Sequence, residues 1–285
     1  PKPSPNLRRV SAGSNSQPYL RLLRQNPDSK YLHFTTSKSA VCSVRAQARM
    51  EKSLIQQRTS PLNAFDETFL TGIEGRTEIV LVRHGQQVVP SRTNASVGET
   101  VDPPLSEQGE KQAQLVGERF STEAIAAVYA SPLLRAFATG MQIASHHQLE
   151  PIIVDDLREV ELFRDVPPEQ SPAEAFGESY LAGLRSRMMR ERSWDIYPLS
   201  ETSTAFRKRT INAIEGIIAG HEGDRVVVAC HGGVINAYAG YVVNTPYDMF
   251  FRPAHASVHL LAAVGTVRSV LSLNDVHHLE TTAGS

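Results

Sequence analysis

The chain has 285 residues, 41% of them hydrophobic and 21% charged, enough for one sizeable core or two small ones. No apolar run approaches the ~20 residues that span a bilayer, and two distant cysteines, Cys42 and Cys230, argue against a disulfide framework or a cysteine-built zinc site. The net charge of −1 conceals an asymmetry: residues 1–49 carry nine Lys or Arg against one acid, Asp28, leaving 20 basic and 29 acidic residues for the remainder.

That basic segment is rich in Ser, Arg, Pro and Asn and has neither a sustained apolar period nor the apolar centre of a secretory signal. Residues 1–76 are therefore expected to lie outside the fold as a largely disordered extension. Composition alone leaves an organellar transit peptide open for residues 1–49, against a cytoplasmic location otherwise. Met50, the first methionine, stands where the composition changes.

Regular patterning begins near Thr77. "TEIVLVRH" predicts a strand, and "LSEQGEKQAQLVGERF" a helix with Leu105, Ala113, Val116 and Phe120 on one face and Ser106 as N-cap. "AIAAVYA" predicts a second strand; Ser131-Pro132 then reads as an N-cap with proline in the first turn, opening "LLRAFATGMQIASHH". "PIIV" is a short third strand. A polar stretch near 160–200 follows, then a helix over "ETSTAFRKRTINAIEGIIAG" and a fourth strand, "DRVVVAC". "GVINAYAGYVV" predicts a helix, and "SVHLLAAV" and "VRSVLSL" close the pattern as strands. Strands alternating with helices predict an α/β fold with a mainly parallel sheet.

In such sheets ligands bind at the carboxyl ends of the strands. Arg83-His84-Gly85 follows the first strand and Ser131-Pro132 with Arg135 the second. Asp156-Leu157-Arg158-Glu159 follows the third, and His231-Gly232-Gly233 the fourth. Alone, each has a bland reading as a turn or a surface charge. Together, two arginines, two histidines and a glutamate suit a phosphate group. Arginine forks and an imidazole can neutralise the non-bridging oxygens, a neutral imidazole can attack phosphorus, and a carboxylic acid can protonate the departing oxygen. Gly85 is expected to give backbone freedom and close approach to the phosphate. Cys230 is expected to pack rather than react. The acidic body has no basic stripe or aromatic platform for nucleic acid.

The ordered motifs "LVRHGQ", "PLSEQGEKQA", "VYASPLLRAFATG", "DLREVE" and "VVVACHGGVINAYAG" resemble those of the histidine phosphatase superfamily, phosphoglycerate-mutase-like branch. The resemblance covers about residues 77–275, leaving 276–285 as a tail, and implies a three-layer α/β/α sandwich with a small cap insertion at about 160–200. It implies His84 as the phosphorylated nucleophile, Arg83 and Arg135 as phosphate-binding arginines, and His231 as the second histidine, with Gly232 beside it. Glu159 is implied as the proton donor, with Glu161 and Asp156 as near competitors, and Gln86 as an added phosphate contact.

Mutases of that branch typically continue RHG with Ser-x-Trp-Asn, where this chain has "QQVVPSRTN", and the basic residues of its cap come only late, from Arg185 to Arg192. The expectation is thus a metal-independent phosphomonoesterase with no cofactor, acting on a small phosphorylated metabolite through a phosphohistidine. The alternatives are a cofactor-dependent phosphoglycerate mutase and a non-catalytic phosphate-binding regulator. A homodimer is the assembly to test, since nothing in the sequence sets the oligomeric state.

Overall fold

The computed structural model describes residues 64–90 and 94–280. The basic segment 1–49, and with it the targeting expectation, lies outside the described residues. Residues 64–76, which the sequence grouped with the extension, contain a short helix, α1 (Ala64–Thr68), and a turn that buries Leu70. Arg76 closes the turn by donating to the Leu70 carbonyl at 2.5 Å.

Strand β1 (Thr77–Arg83) is apolar on both faces from Ile79 to Val82 and buried until its final arginine, as suits a central strand covered on both sides. With β2 (Ala127–Ala130), β3 (Ile152–Ile153), β4 (Arg225–Cys230), β5 (Val258–Val264) and β6 (Val267–Asp275) it forms one sheet in the order β3-β2-β4-β1-β5-β6. The first four neighbours run parallel, and β5 and β6 run antiparallel. The register aligns Arg83 with Cys230, so β1 and β4 end together.

Side chains alternate between two apolar layers, following the two-residue period of a strand. Ile79, Leu81, Val226 and Val228 pack on α7 (Ser203–Ala219) and α8 (Gly232–Val242) through Phe206, Ile214, Ile235 and Tyr238. Val80, Val82, Val128 and Val227 pack on α3 (Glu107–Phe120) and α4 (Leu134–Ser145) through Val116, Phe120 and Ile143. This is the expected three-layer α/β/α sandwich. Each two-sided strand removes apolar surface from water on both faces, at roughly 25 cal/mol per Å².

Ser106 caps α3 as expected, accepting from the Gly109 N–H at 3.1 Å. Ser131 does not cap α4, which begins at Leu134 after Leu133. The Leu134 N–H is instead satisfied by Asp102 Oδ1 at 2.7 Å, a carboxylate from a distant loop just after α2 (Val97–Val101). Ser131 is thereby free for another use.

Residues 160–200 hold α5 (Pro172–Phe176), α6 (Glu178–Glu191) and a 3-10 turn at Trp194–Ile196. Buried Asp248 anchors the end of this segment, accepting from Ser203 Oγ at 2.5 Å, Arg207 Nε at 2.7 Å and the Trp194 N–H at 2.9 Å. Past β6, a 3-10 turn at His277–Leu279 brings the His278 ring to Arg119 on α3, at 3.1 Å. Among the described residues no helix is long and apolar enough to cross a membrane.

Candidate active site

His84 leaves β1 at the sheet's carboxyl edge, 3% exposed. Its N–H donates to the Cys230 carbonyl at 2.9 Å, and its own carbonyl accepts from the Ala256 N–H at 3.1 Å. The ring is fixed by a 2.7 Å contact from Nδ1 to the Gly85 carbonyl. A carbonyl can only accept, so the proton sits on Nδ1 and Nε2 carries the lone pair of a neutral ring. Burial first, then the Arg135 and Arg83 charges, hold this imidazole well below its ordinary pKa, against the opposing effect of the Gly85 bond.

The backbone freedom expected of Gly85 is not what the position uses. Its backbone is not left-handed; a Cβ there would run into the Gly109 carbonyl, and one on Gly109 into the Gln86 carbonyl. The two glycines let the loop after β1 sit on the first turn of α3. Ser106 completes the joint, its N–H donating to the Gln86 carbonyl at 2.9 Å and its hydroxyl to Gln86 Oε1 at 3.0 Å. The Gln86 carboxamide oxygen is thus engaged in holding the loop.

His231, wholly buried, is the residue before α8, and its ring lies 5.1 Å from that of His84. Its Nε2 is 2.8 Å from Ser131 Oγ, which accepts from the Leu133 N–H at 3.3 Å. In the tautomer where Ser131 donates its hydrogen to Nε2, the ring proton sits on Nδ1, a buried atom with no partner among the described residues. Burial first, then His84, Arg135 and Arg83, push its pKa well down.

Arg135 is buried and Arg83 half-buried, and both are only partly satisfied. Arg83 Nη1 donates to the Pro253 carbonyl at 2.6 Å. Arg135 Nη1 donates to the Val101 carbonyl at 3.2 Å and lies 3.7 Å from Asp102 Oδ1. The Nε–H of each has no partner among the described residues. Burial lowers the pKa of both, and the charge of Glu159 opposes that on both.

Glu159 turns inward, Oε2 accepting from the Gly233 N–H at 3.1 Å and Oε1 from the Val160 N–H at 3.0 Å. A Cβ on Gly233 would strike Glu159 Oε1. Arg209 on α7 grips this loop, donating to the carbonyls of Asp156, Arg158 and Glu159 at 2.7, 2.8 and 3.2 Å while both its Nε and Nη2 bind Glu201 at 2.7 Å. The competitors face away: Asp156 is exposed, and Glu161 is exposed 3.7 Å from Arg158. Gly232 lies against the Arg83 guanidinium, 3.6 Å from Nε to an added Cβ. Cys230 is buried, and burial pushes its thiol up, so it packs.

The structure thus brings His84, His231, Arg83, Arg135 and Glu159 to one edge of the sheet. Sequence reasoning missed the use of Ser131, the reach of Asp102 to α4 and Arg135, and Thr139, whose hydroxyl accepts from the Gly85 N–H at 3.1 Å. It also missed His255, whose ring lies 5.7 Å from that of His84. Among the described residues no group of three or more His, Cys, Asp or Glu is disposed to hold a metal ion.

These features define a phosphate-handling α/β protein. The family model for the histidine phosphatase superfamily (branch 1) matches residues 79–276. The chain belongs to that superfamily, and it is a phosphatase. It is 33% identical over 214 residues to a metal-independent phosphoserine phosphatase of Arabidopsis thaliana, covering 72% of this chain and 84% of that one. It is also 35% identical to phosphoglycerate mutase-like protein 4 of the same plant, over 56% of this chain and 68% of the relative. A mycobacterial glucosyl-3-phosphoglycerate phosphatase shares the fold, with a TM-score of 0.59 at 21% identity over 70% of this chain and all of the other.

Proposed function

We propose that the site hydrolyses small phosphomonoesters through a phosphohistidine on His84, with Arg83, Arg135 and His231 binding the phosphoryl oxygens and Glu159 moving the proton. In the first half, the Nε2 lone pair attacks phosphorus as the ester P–O bond breaks. The departing oxygen takes the proton of the Glu159 carboxylic acid. In the second half, a water gives a proton to the Glu159 carboxylate and attacks phosphorus. The P–N bond breaks, releasing inorganic phosphate and neutral His84.

The observation that carries this reading is the set of unpaired polar atoms around a neutral nucleophile. Arg83 Nε, Arg135 Nε and His231 Nδ1 are buried without partners among the described residues. Leaving such groups unpaired costs about 1–3 kcal/mol each, more where charged. Three together are best explained by an anion that pairs them in the working complex. The Gly85 carbonyl meanwhile directs the His84 proton away from Nε2.

The names of the relatives supply first substrates: phosphoserine and phosphorylated derivatives of glyceric acid. The decisive experiment is labelling with a 32P-phosphomonoester followed by quenching. An acid-labile, alkali-stable label, absent from His84→Ala, supports the reading; a label that persists in His84→Ala overturns it. Phosphate release exceeding phosphoryl transfer between positions of phosphoglycerate separates hydrolysis from mutase turnover.

A further inference from the structure

The catalytic edge carries a cation that the phosphoryl chemistry does not use. The chain enters β5 through residues 252–257, and because β5 runs antiparallel, its start lies beside the carboxyl end of β1, with Val258 opposite Val82. The turn is tied to the site at two points. Arg83 Nη1 donates to the Pro253 carbonyl at 2.6 Å, and the Ala256 N–H donates to the His84 carbonyl at 3.1 Å.

It is also rigid. His259 Nδ1 accepts from the Asn274 N–H at 3.1 Å, so its proton is on Nε2, which donates to Ser257 Oγ at 2.9 Å. The Ser257 hydroxyl in turn donates to the Ala254 carbonyl at 2.6 Å, and the Ala254 N–H donates to Asn274 Oδ1 at 2.7 Å. Ala256 is held at φ +54°, a left-handed conformation that the surrounding bonds maintain.

This turn carries His255 toward the nucleophile and sets Arg252 next in sequence to Pro253, whose carbonyl Arg83 holds. His255 is half-buried, its ring 5.7 Å from that of His84. Arg252 is exposed and makes no ion pair or hydrogen bond among the described residues, and its charge bears on both Arg83 and His255. Burial first, then Arg83 and Arg252, bring His255 to about 4, so at neutral pH it offers an N–H donor without charge.

We infer that Arg252 and His255 form a second anion subsite, which takes a carboxylate of the substrate while Arg83 and Arg135 hold its phosphate. One exposed guanidinium and one neutral imidazole match the single charge and two oxygens of a carboxylate better than the two charges of a second phosphate. The span also fits. In a three-carbon phosphoester of a hydroxy acid, phosphorus and the carboxyl carbon are four bonds apart, roughly 5 Å at ordinary covalent lengths. The expected substrate class is therefore a short phosphomonoester with a carboxylate at the far end of its carbon chain. The inference rests on the phosphatase reading above and assigns the second negative group to the turn before β5, away from the cap.

The test compares 3-phosphoglycerate with glycerol 3-phosphate, which differ only in a carboxylate replacing a hydroxymethyl group, with fructose 1,6-bisphosphate as a carboxylate-free bisphosphate. Phosphate release is measured for the unsubstituted chain, Arg252→Gln and His255→Ala. The ratio of kcat/KM for 3-phosphoglycerate to that for glycerol 3-phosphate should fall about tenfold or more in Arg252→Gln, mostly through KM, as expected for a charged hydrogen bond. It should fall by a smaller factor in His255→Ala, and Arg252→Lys should restore part of the loss. A ratio unchanged within about twofold in both variants overturns the subsite, as does a selective loss with the bisphosphate, which would assign it to a second phosphate. Absence of phosphate release from every substrate by the unsubstituted chain overturns the phosphatase reading itself.

Discussion

The two ends of the paired strands β1 and β4 treat arginine in opposite ways. At the amino end, Glu78 lies opposite Arg225, accepts from its Nε at 2.5 Å and from Arg76 at 2.6 and 3.1 Å, and Arg225 also bonds Glu123. Burial pushes the Glu78 carboxyl up, but the bonds from Arg225 and Arg76 bring it below the usual carboxylate range. At the carboxyl end, Arg83 is half-buried and Arg135 buried, and each keeps an Nε–H with no partner among the described residues. One end is a finished network that stabilises the fold. The other leaves donors unpaired among the described residues, at the place proposed for the phosphate.

The largest effect is expected at the nucleophile. His84→Ala removes the atom that accepts the phosphoryl group and should lower kcat by at least about 10⁴-fold, measured by phosphate release with a phosphomonoester at saturation. Residual turnover near the original rate would place the chemistry elsewhere.

Removing an arginine at the unfinished end should separate activity from stability. Arg83→Ala and Arg135→Ala should each lower kcat/KM by roughly 10²–10³, the usual cost of a lost oxyanion donor. Neither should lower Tm in proportion, because each removes an incompletely paired charge that is at least half-buried. A matching loss of Tm and activity would mean the two ends do the same job. At the finished end, Glu78→Gln should do the reverse, costing about 1–3 kcal/mol in urea denaturation by removing the charge that two arginines share, with kcat within about twofold of its starting value.

The sequence made this division legible only in part. Strand and helix order could be read because apolar runs and helical periods are local, and the four strand-end motifs fell where a parallel sheet collects them. Two features were hidden by being long-range. Ser131-Pro132 has the form of an N-cap, but the Leu134 N–H is taken by Asp102, thirty-two residues away in sequence, and Ser131 turns to His231. His255 precedes a strand, and a search of carboxyl ends passes over it. Its nearness to His84 arises because β5 is antiparallel, which no short pattern announces.

Histidines sharpen the comparison through pH. His84 and His231 are held well below their ordinary pKa chiefly by burial, His255 lies at about 4, and His259 at about 3. For each, the folded chain resists a proton that the unfolded chain accepts near 6.5, so stability is fully present above that pH and declines as pH falls below it. Tm should be lower at pH 5.5 than at 7.5, and His259→Gln should flatten the slope. A Tm independent of pH across this window would show that these rings are not buried neutral.

The smallest effect is expected where a finished pair faces water. Arg119 Nη2 donates to Asp275 Oδ2 at 2.6 Å, joining α3 to the end of β6, but their side chains are 25% and 35% exposed. The Arg119 bond, then the His277 N–H, bring the Asp275 carboxyl down to about 2. A depressed carboxylate contributes stability that is present above its unfolded pKa and is lost as pH falls through that value toward about 2. Here solvent screening discounts the contribution, because the charges remain wet in the folded state. Asp275→Asn should therefore cost less than about 1 kcal/mol at pH 7 and low salt, and the difference should shrink at 1 M salt, where the Debye length falls to ~3 Å. Urea denaturation at the two salt concentrations measures both. A loss as large as that of Glu78→Gln, insensitive to salt, would show that the pair works as a buried one, and that completeness of pairing, rather than burial, sets what an arginine contributes in this fold.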